Sequence, residues 1–278
     1  MIDSDDGFDI IIEPNRSAGH YWKDLWKFRG LFYFLSWRDL LVRYKQTAIG
    51  IAWSVIRPLI TLVVFTIVFG KIAKLDNQGV PYALLVCAAM IPWQFFANSF
   101  TEASNSLTLN SNLLTKVYFP RLIIPASTII VSLVDFLISL GILFGVMIYY
   151  HFIPGWQLIM LPAFLLLAVI TSLGSGVLIA SLNVKYRDFR YVVPFIVQLG
   201  LYISPVGWSS SIIPDKYRLL YSLNPMAGVI DGFRWCILGG DAKIYIPGFI
   251  LSIAISFLLM ITGIRYFRKM EKSFVDII

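Results

Sequence analysis

The sequence predicts an all-α polytopic membrane protein: six transmembrane helices, an N-terminal amphipathic interface helix before them, and short re-entrant helices before the last span. Three observations predict it. Of the 278 residues, 58% are hydrophobic and only 14% charged, more apolar surface than one water-facing core can hide. Apolar runs of membrane length recur along the chain between polar or Pro/Gly-rich breaks. A basic, aromatic-rich segment, WRDLLVRYKQTAIG (37–50), runs with no Pro before Pro58 into the apolar IAWSVIRPLITLVVFTIVFG (51–70), the pattern of an interfacial helix feeding a membrane helix.

The elements follow in order. The opening MIDSDDGFDIIIEP is acidic and lacks the basic-then-apolar order of a cleaved signal peptide, so no cleavage is expected there. Residues 1–50 form the cytoplasmic segment and interface helix, where Asp39 and Arg43 stand one helical turn apart and Trp37 and Tyr44 are ring types favoured at headgroup level. Spans one and two cover 51–70 and 81–101, separated by KIAKLDNQG. The stretch 102–116 is polar enough to leave the bilayer yet keeps helical spacing, which predicts a short helix on the membrane surface. Spans three and four cover 121–150 and 157–182 around a tight HFIPG break, and span five covers 191–205, short and flanked by Pro194 and Pro205. Residues 206–238 mix Pro, Gly, aromatics and polar groups, as segments that re-enter and pack on protein do. Span six covers 244–267, and 268–278 is a tail.

Charge sets the orientation. Sixteen of the 23 Lys and Arg residues fall on the side that holds both termini, six on the other, and Arg57 within span one, so both termini are expected in the cytoplasm. The net charge of +7 belongs to the membrane surface, since the basic residues flank apolar runs; nucleic acid is not an expected partner. Cys87 and Cys236 lie in apolar surroundings and are expected to be buried free thiols. Small residues four apart, Gly141 and Gly145 in span three and Ser172, Gly176 and Ala180 in span four, predict close helix contacts.

No catalytic or metal site can be assembled. His20 and His151 are isolated, and the nearest Gly-Lys pair, Gly70 and Lys71, is followed by Ile-Ala, so no phosphate loop exists. The length leaves no room for a separate catalytic domain, and an energy source must sit on another chain. Binding candidates come from helical stripes. Span one shows Ser54, Arg57, Thr61 and Phe65 on one side; span two shows Trp93, Phe96 and Phe100 on one side and Gln94, Asn98 and Asn105 on another; span five shows Tyr191, Phe195, Gln198 and Tyr202. Aromatic rings with amide groups suit the C–H faces and hydroxyls of sugars; ordinary bundle packing produces the same stripes. Arg57 either snorkels to the headgroups or pairs with Glu102, or it receives a phosphate of an anionic lipid substrate, with Arg43 and Lys45 as secondary candidates. Asp135, deep in span three, is expected to face protein, protonated or paired.

The strings RDLLVRYKQTAIGIAWSVIRPL and VFTIVFG, IPWQFFANSFTEASNSLTLNSNLLTKVYFPRLIIPAS, VKYRDFRYVVPFIVQLGLYISPVGW and LYSLNPMAGVIDGFRW together resemble the membrane subunit of ABC-2 type polysaccharide exporters, which move O-antigen, capsule or teichoic acid chains. The resemblance covers about 34–235. It implies a homodimer of six-span permease subunits in the bacterial inner membrane, driven by two separate ATPase subunits that hold the ATP and Mg, with no cofactor on this chain and a lipid-linked glycan as cargo. It makes 102–116 the coupling helix, with Trp22, Trp26, Asn105, Leu107, Asn110 and Asn112 as the residues facing the ATPase, and 206–238 the outer gate helices. The channel is then lined by spans one, two and five, with Phe65, Trp93, Phe96, Tyr191, Phe195, Gln198 and Tyr202 toward the glycan. Two alternatives compete: an ABC-2 exporter of a drug or other lipid, which needs no aromatic track, and a membrane glycosyltransferase, which needs carboxylates converging on one face.

Overall fold

A computed structural model describes residues 18–45, 50–72, 79–186, 188–239, 244–271 and 274. All regular structure among them is helical. The elements are α1 (Ala18–Lys27), α2 (Arg29–Lys45), α3 (Gly50–Phe65), α4 (Tyr82–Leu109), α5 (Ser111–Lys116), α6 (Ile123–Tyr149), α7 (Leu161–Lys185), α8 (Phe189–Ile203), α9 (Asp215–Tyr221), α10 (Pro225–Leu238) and α11 (Ile246–Met270). Five stretches are long and apolar enough to cross a membrane: Ala52–Ile72, Tyr82–Leu109, Ile123–Tyr149, Trp156–Lys185 and Ile246–Met270. The acidic segment 1–17 and Gln46, at the expected end of the interface helix, lie outside the described residues.

The centre of the bundle is α4, flanked by α6 and α7, with α10 against its first half and α11 on the outer side of α7. Most of α4 is buried from Tyr82 through Phe100, as expected of a helix that is apolar on every side. Small residues set the closest approaches. A Cβ at Gly176 would lie 2.7 Å from the Ala103 methyl, and one at Gly263 would lie 2.3 Å from the Gly174 carbonyl oxygen, so α7 meets α4 and α11 nearly backbone to backbone. Gly141 and Gly145 behave differently: a Cβ at either meets nothing within 4 Å, so the contact their spacing suggests is not made within one chain. Cys87 and Cys236 are buried free thiols.

Three features depart from simple periodicity. The interface segment is two helices rather than one, broken at Phe28 between α1 and α2. Where the spacing suggests a separate surface helix over 102–116, α4 itself continues to Leu109, because Ala103, Ser104, Ser106 and Leu107 are buried against the bundle, and only α5 is separate. Span one also continues beyond Phe65, widening into a π-helical stretch at Thr66–Ile72. Among the shorter helices, α10 carries its own start and stop signals: Asn224 Oδ1 accepts the Met226 N–H at 3.1 Å, Pro225 takes the first turn, and Gly239 ends the helix at φ +82°.

Candidate functional site

Three regions of the bundle hold the polar and aromatic groups that can act: the outer face of α8, the end where α2 meets α4 and α6, and the opposite end around Ser204–Trp208.

The amphipathic α8 has one face docked and one uncovered. Val193 is buried, and Gly200 sits so close to the Trp93 ring that a Cβ there would lie 2.5 Å from Cη2. On the other face Tyr191, Phe195 and Tyr202 are 80%, 60% and 64% exposed, with Gln198 exposed among them. Trp93 and Phe96 do not share that surface. Both are buried, their ring centroids 5.5 Å apart, with Phe96 stacked on Phe100 at 5.6 Å, and they support α8 from behind. Phe65 is half-buried at the end of α3, 5.3 Å from Phe69 and in contact range of Gly207. The seven residues therefore divide: four on an open face, two beneath it, one at its margin. Along α3 and the π-helical stretch after it, Leu59, Ile60, Val63, Val64, Ile67 and Val68 are also uncovered, a larger apolar surface than an isolated water-soluble chain carries.

At the α2 end a carboxylate in the bundle is met by the interface helix. Tyr44 donates its hydroxyl to Asp135 Oδ1 at 2.5 Å, and Arg43 Nη2 pairs with Asp135 Oδ2 at 2.7 Å. Asp135 is 14% exposed, so the ion pair offsets much of the cost of holding a charge there. Arg43 also reaches Glu102 at 3.5 Å, which leaves Arg57 a different environment: its guanidinium lies 5.8 Å from the Trp53 ring centroid, exposed. Lys45 is exposed as well. Arg38 bonds Asp39 at 2.7 Å and donates to Asn110 Oδ1 at 2.9 Å, tying α2 to the turn between α4 and α5.

The chain's last described turn closes on the same end. Glu271 accepts the Arg121 N–H at 2.9 Å and the Tyr21 hydroxyl at 3.4 Å, while Arg268 lies 4.8 Å from the Tyr21 ring centroid. Burial raises both the Glu271 carboxyl and the Tyr21 hydroxyl above their ordinary ranges. Of the six residues expected to face an ATPase, Trp22, Trp26 and Asn112 are exposed. Leu107 is buried, Asn105 Oδ1 accepts from Asn183 at 3.2 Å, and Asn110 is held by Arg38. Leu109, Val117 and Tyr118, which the resemblance did not single out, are also exposed, on either side of the six-residue α5.

At the opposite end, helical bonding stops at Ile203 and the backbone of Ser204–Trp208 is irregular. Side chains from three elements satisfy it. Tyr221 donates to the Ile203 carbonyl at 2.9 Å, Arg234 to those of Val206 at 3.1 Å and Trp208 at 2.8 Å, and Tyr82 to that of Gly207. Asn224 Nδ2 bonds the Ser204 hydroxyl at 2.9 Å. Arg234, 3% exposed, thus spends its donors on backbone carbonyls, Leu85 among them. Irregular backbone inside a bundle survives only when satisfied this way. Charge counting registered Arg234 as one outward cation and missed this role; its place inside a largely apolar 14-residue helix was the available signal.

This geometry can be set beside known proteins. Over 87% of this chain and 92% of the relative, the sequence is 27% identical to a protein of Klebsiella pneumoniae named O-antigen export system permease protein RfbA. A Myxococcus xanthus protein of the same name is 26% identical over 76% of this chain and 82% of its own. The protein named inner membrane transport permease YadH, from Escherichia coli K12, is 25% identical over 67% of this chain and 76% of its own. Residues 30–238, well over half of the chain, match the family model described as ABC-2 type transporter. The chain therefore belongs to the ABC-2 type transporter family.

Proposed function

We propose that this chain is the permease subunit of an ATP-driven exporter that moves a lipid-linked, O-antigen-like polysaccharide across the bacterial inner membrane. Two copies form the passage, and two ATPase subunits on separate chains supply the energy. In this reading α8 is the sixth crossing. At 15 residues it spans ~22 Å, short of the ~30 Å hydrocarbon core, and the satisfied backbone of Ser204–Trp208 completes the passage. Both α9 and α10 then dip back from the outer side as gate helices, and both termini stay in the cytoplasm.

The observation that carries the proposal is the uncovered face of α8, three aromatic rings and an amide on one side of a membrane helix. A lipid-facing surface has no use for Gln198, whereas a sugar chain uses rings for its C–H faces and the amide for its hydroxyls, in any register. The relatives named for O-antigen export agree with that cargo. Arg57 and Lys45, exposed on the side of the interface helix, are the candidates for the lipid-linked phosphate. Arg43 is less available, being paired with two carboxylates.

Replacing Tyr191, Phe195 and Tyr202 together by Ala tests the reading. Glycan export in cells or vesicles is expected to fall by at least about tenfold, the equivalent of ~1.4 kcal/mol of lost contact, while the subunit still assembles with its ATPase. Full glycan export by the triple variant would remove the α8 face as the surface that carries the sugar, and a wild-type complex that exports no glycan would favour the drug or lipid exporter.

A further inference from the structure

A second site lies at the Ser204–Trp208 end, away from the α8 face. Between the 210–212 turn, α9, α10 and the start of α11 is a cavity of about 390 Å³, within the ~300–1,000 Å³ range of small-molecule sites. Its wall brings together Ser210, Arg218, Tyr221, Ser222, Asp231 and Tyr245. The two glycines at the back, Gly228 and Gly248, let α11 approach closely: a Cβ at Gly228 would lie 2.7 Å from Ser252, and one at Gly248 would lie 2.2 Å from the Ser222 hydroxyl. The cavity is therefore framed by packed elements.

The chemistry of the wall selects its occupant. Its described charged groups are Arg218, Arg234 and Asp231. Arg218 pairs with Asp215 at 3.0 Å and donates to the Ile213 and Ser211 carbonyls, while Asp231 lines the wall together with Ser210 and Arg234. A phosphate site needs donors free of other partners, and Arg234 and Arg218 each direct three nitrogens to protein acceptors; a cation site needs clustered carboxylates, and among the described lining residues there is one, Asp231. What remains is a set of hydroxyls, which both donate and accept, one carboxylate acceptor, and the rings of Tyr221 and Tyr245. That combination matches a neutral polyol with one apolar face.

We infer that the cavity binds a single glycosyl unit, holding a residue of the glycan at the outer end of the protein. The inference rests on the polysaccharide reading above and adds a second place of sugar contact to it. A bound unit would keep an emerging chain from sliding back while the α8 face is reloaded.

The test is a saturation-transfer NMR titration of the full-length protein in detergent, using methyl glycosides of a hexose, a 6-deoxyhexose and an N-acetylhexosamine, with inorganic phosphate as a competitor. At least one glycoside is expected to bind saturably in roughly the millimolar range, with Asp231→Asn and Ser210→Ala each weakening it by about tenfold and phosphate failing to displace it. The Tyr191/Phe195/Tyr202 triple-Ala variant keeps this binding. Absence of saturable binding to folded protein, binding indifferent to both substitutions, or displacement by phosphate would overturn the site. If that happens while the wild-type complex exports glycan, only the cavity assignment falls; if glycosides bind but no glycan is exported, it is the export reading that fails.

Discussion

Asp135 shows how much one residue can decide. It sits in a 27-residue apolar helix, where an ionised carboxylate without a partner is costly, and it is stabilised by two neighbours on the interface helix, Arg43 and Tyr44. The need for a partner or a proton was legible from sequence; the partner's identity was not, because spacing along one helix does not say which residues of another helix pack against it. Asp135→Ala removes the shorter of the two carboxylate contacts of Arg43 and the acceptor of the Tyr44 hydroxyl, and is expected to cost ~1–3 kcal/mol, below the cost at a fully buried pair because Arg43 is about one-third exposed and keeps Glu102 at 3.5 Å. In a double-mutant cycle with Arg43→Ala, melting of the detergent-solubilised protein is expected to show a coupling of at least about 1 kcal/mol. Additive losses would mean the ion pair contributes nothing.

Among elements, the long apolar stretches were readable because ~20 residues of unbroken hydrophobicity have few other fates, and α6, α7 and α11 fall close to where their spans were expected. The end of α4 was not readable: Glu102–Thr108 looks polar, yet Ser104, Ser106 and Leu107 face the bundle, a tertiary choice that composition does not reveal. Which side of α4 carries Trp93 and Phe96 inward was hidden for the same reason, since periodicity groups residues on a face without saying what covers it. Small residues divide in a testable way. Gly263→Ala places a methyl against the Gly174 carbonyl, and a loss of ~1–3 kcal/mol is expected as α7 and α11 are forced apart. Gly141→Ala meets no atom of the described residues and is expected to leave the melting temperature of the subunit level or higher. Equal gains from the two would show that helix propensity, not close approach, governs both.

For the molecule as a whole, the two ends of the bundle are built for different work. One end joins α1, α2, α5, the start of α6 and the chain's last turn through Arg38, Arg43, Tyr21, Arg121 and Glu271, with Trp22, Trp26, Leu109 and Asn112 exposed there. The other end ties α8 to α4, α9 and α10 through Arg234, Tyr82, Tyr221 and Asn224. In the proposed exporter α4, which runs between them for 28 residues, ~42 Å, is the element through which a nucleotide-driven partner would shift the α8 face. The most direct measurement places a photocrosslinking amino acid at Gln198, and separately at the outward Phe257 of α11, during export of radiolabelled glycan by the chain reconstituted with its ATPase. Labelled adduct that forms at position 198, requires ATP, and is absent at position 257 is the predicted result; equal labelling at the two positions, or labelling at 198 that ignores the ATPase, would contradict the account.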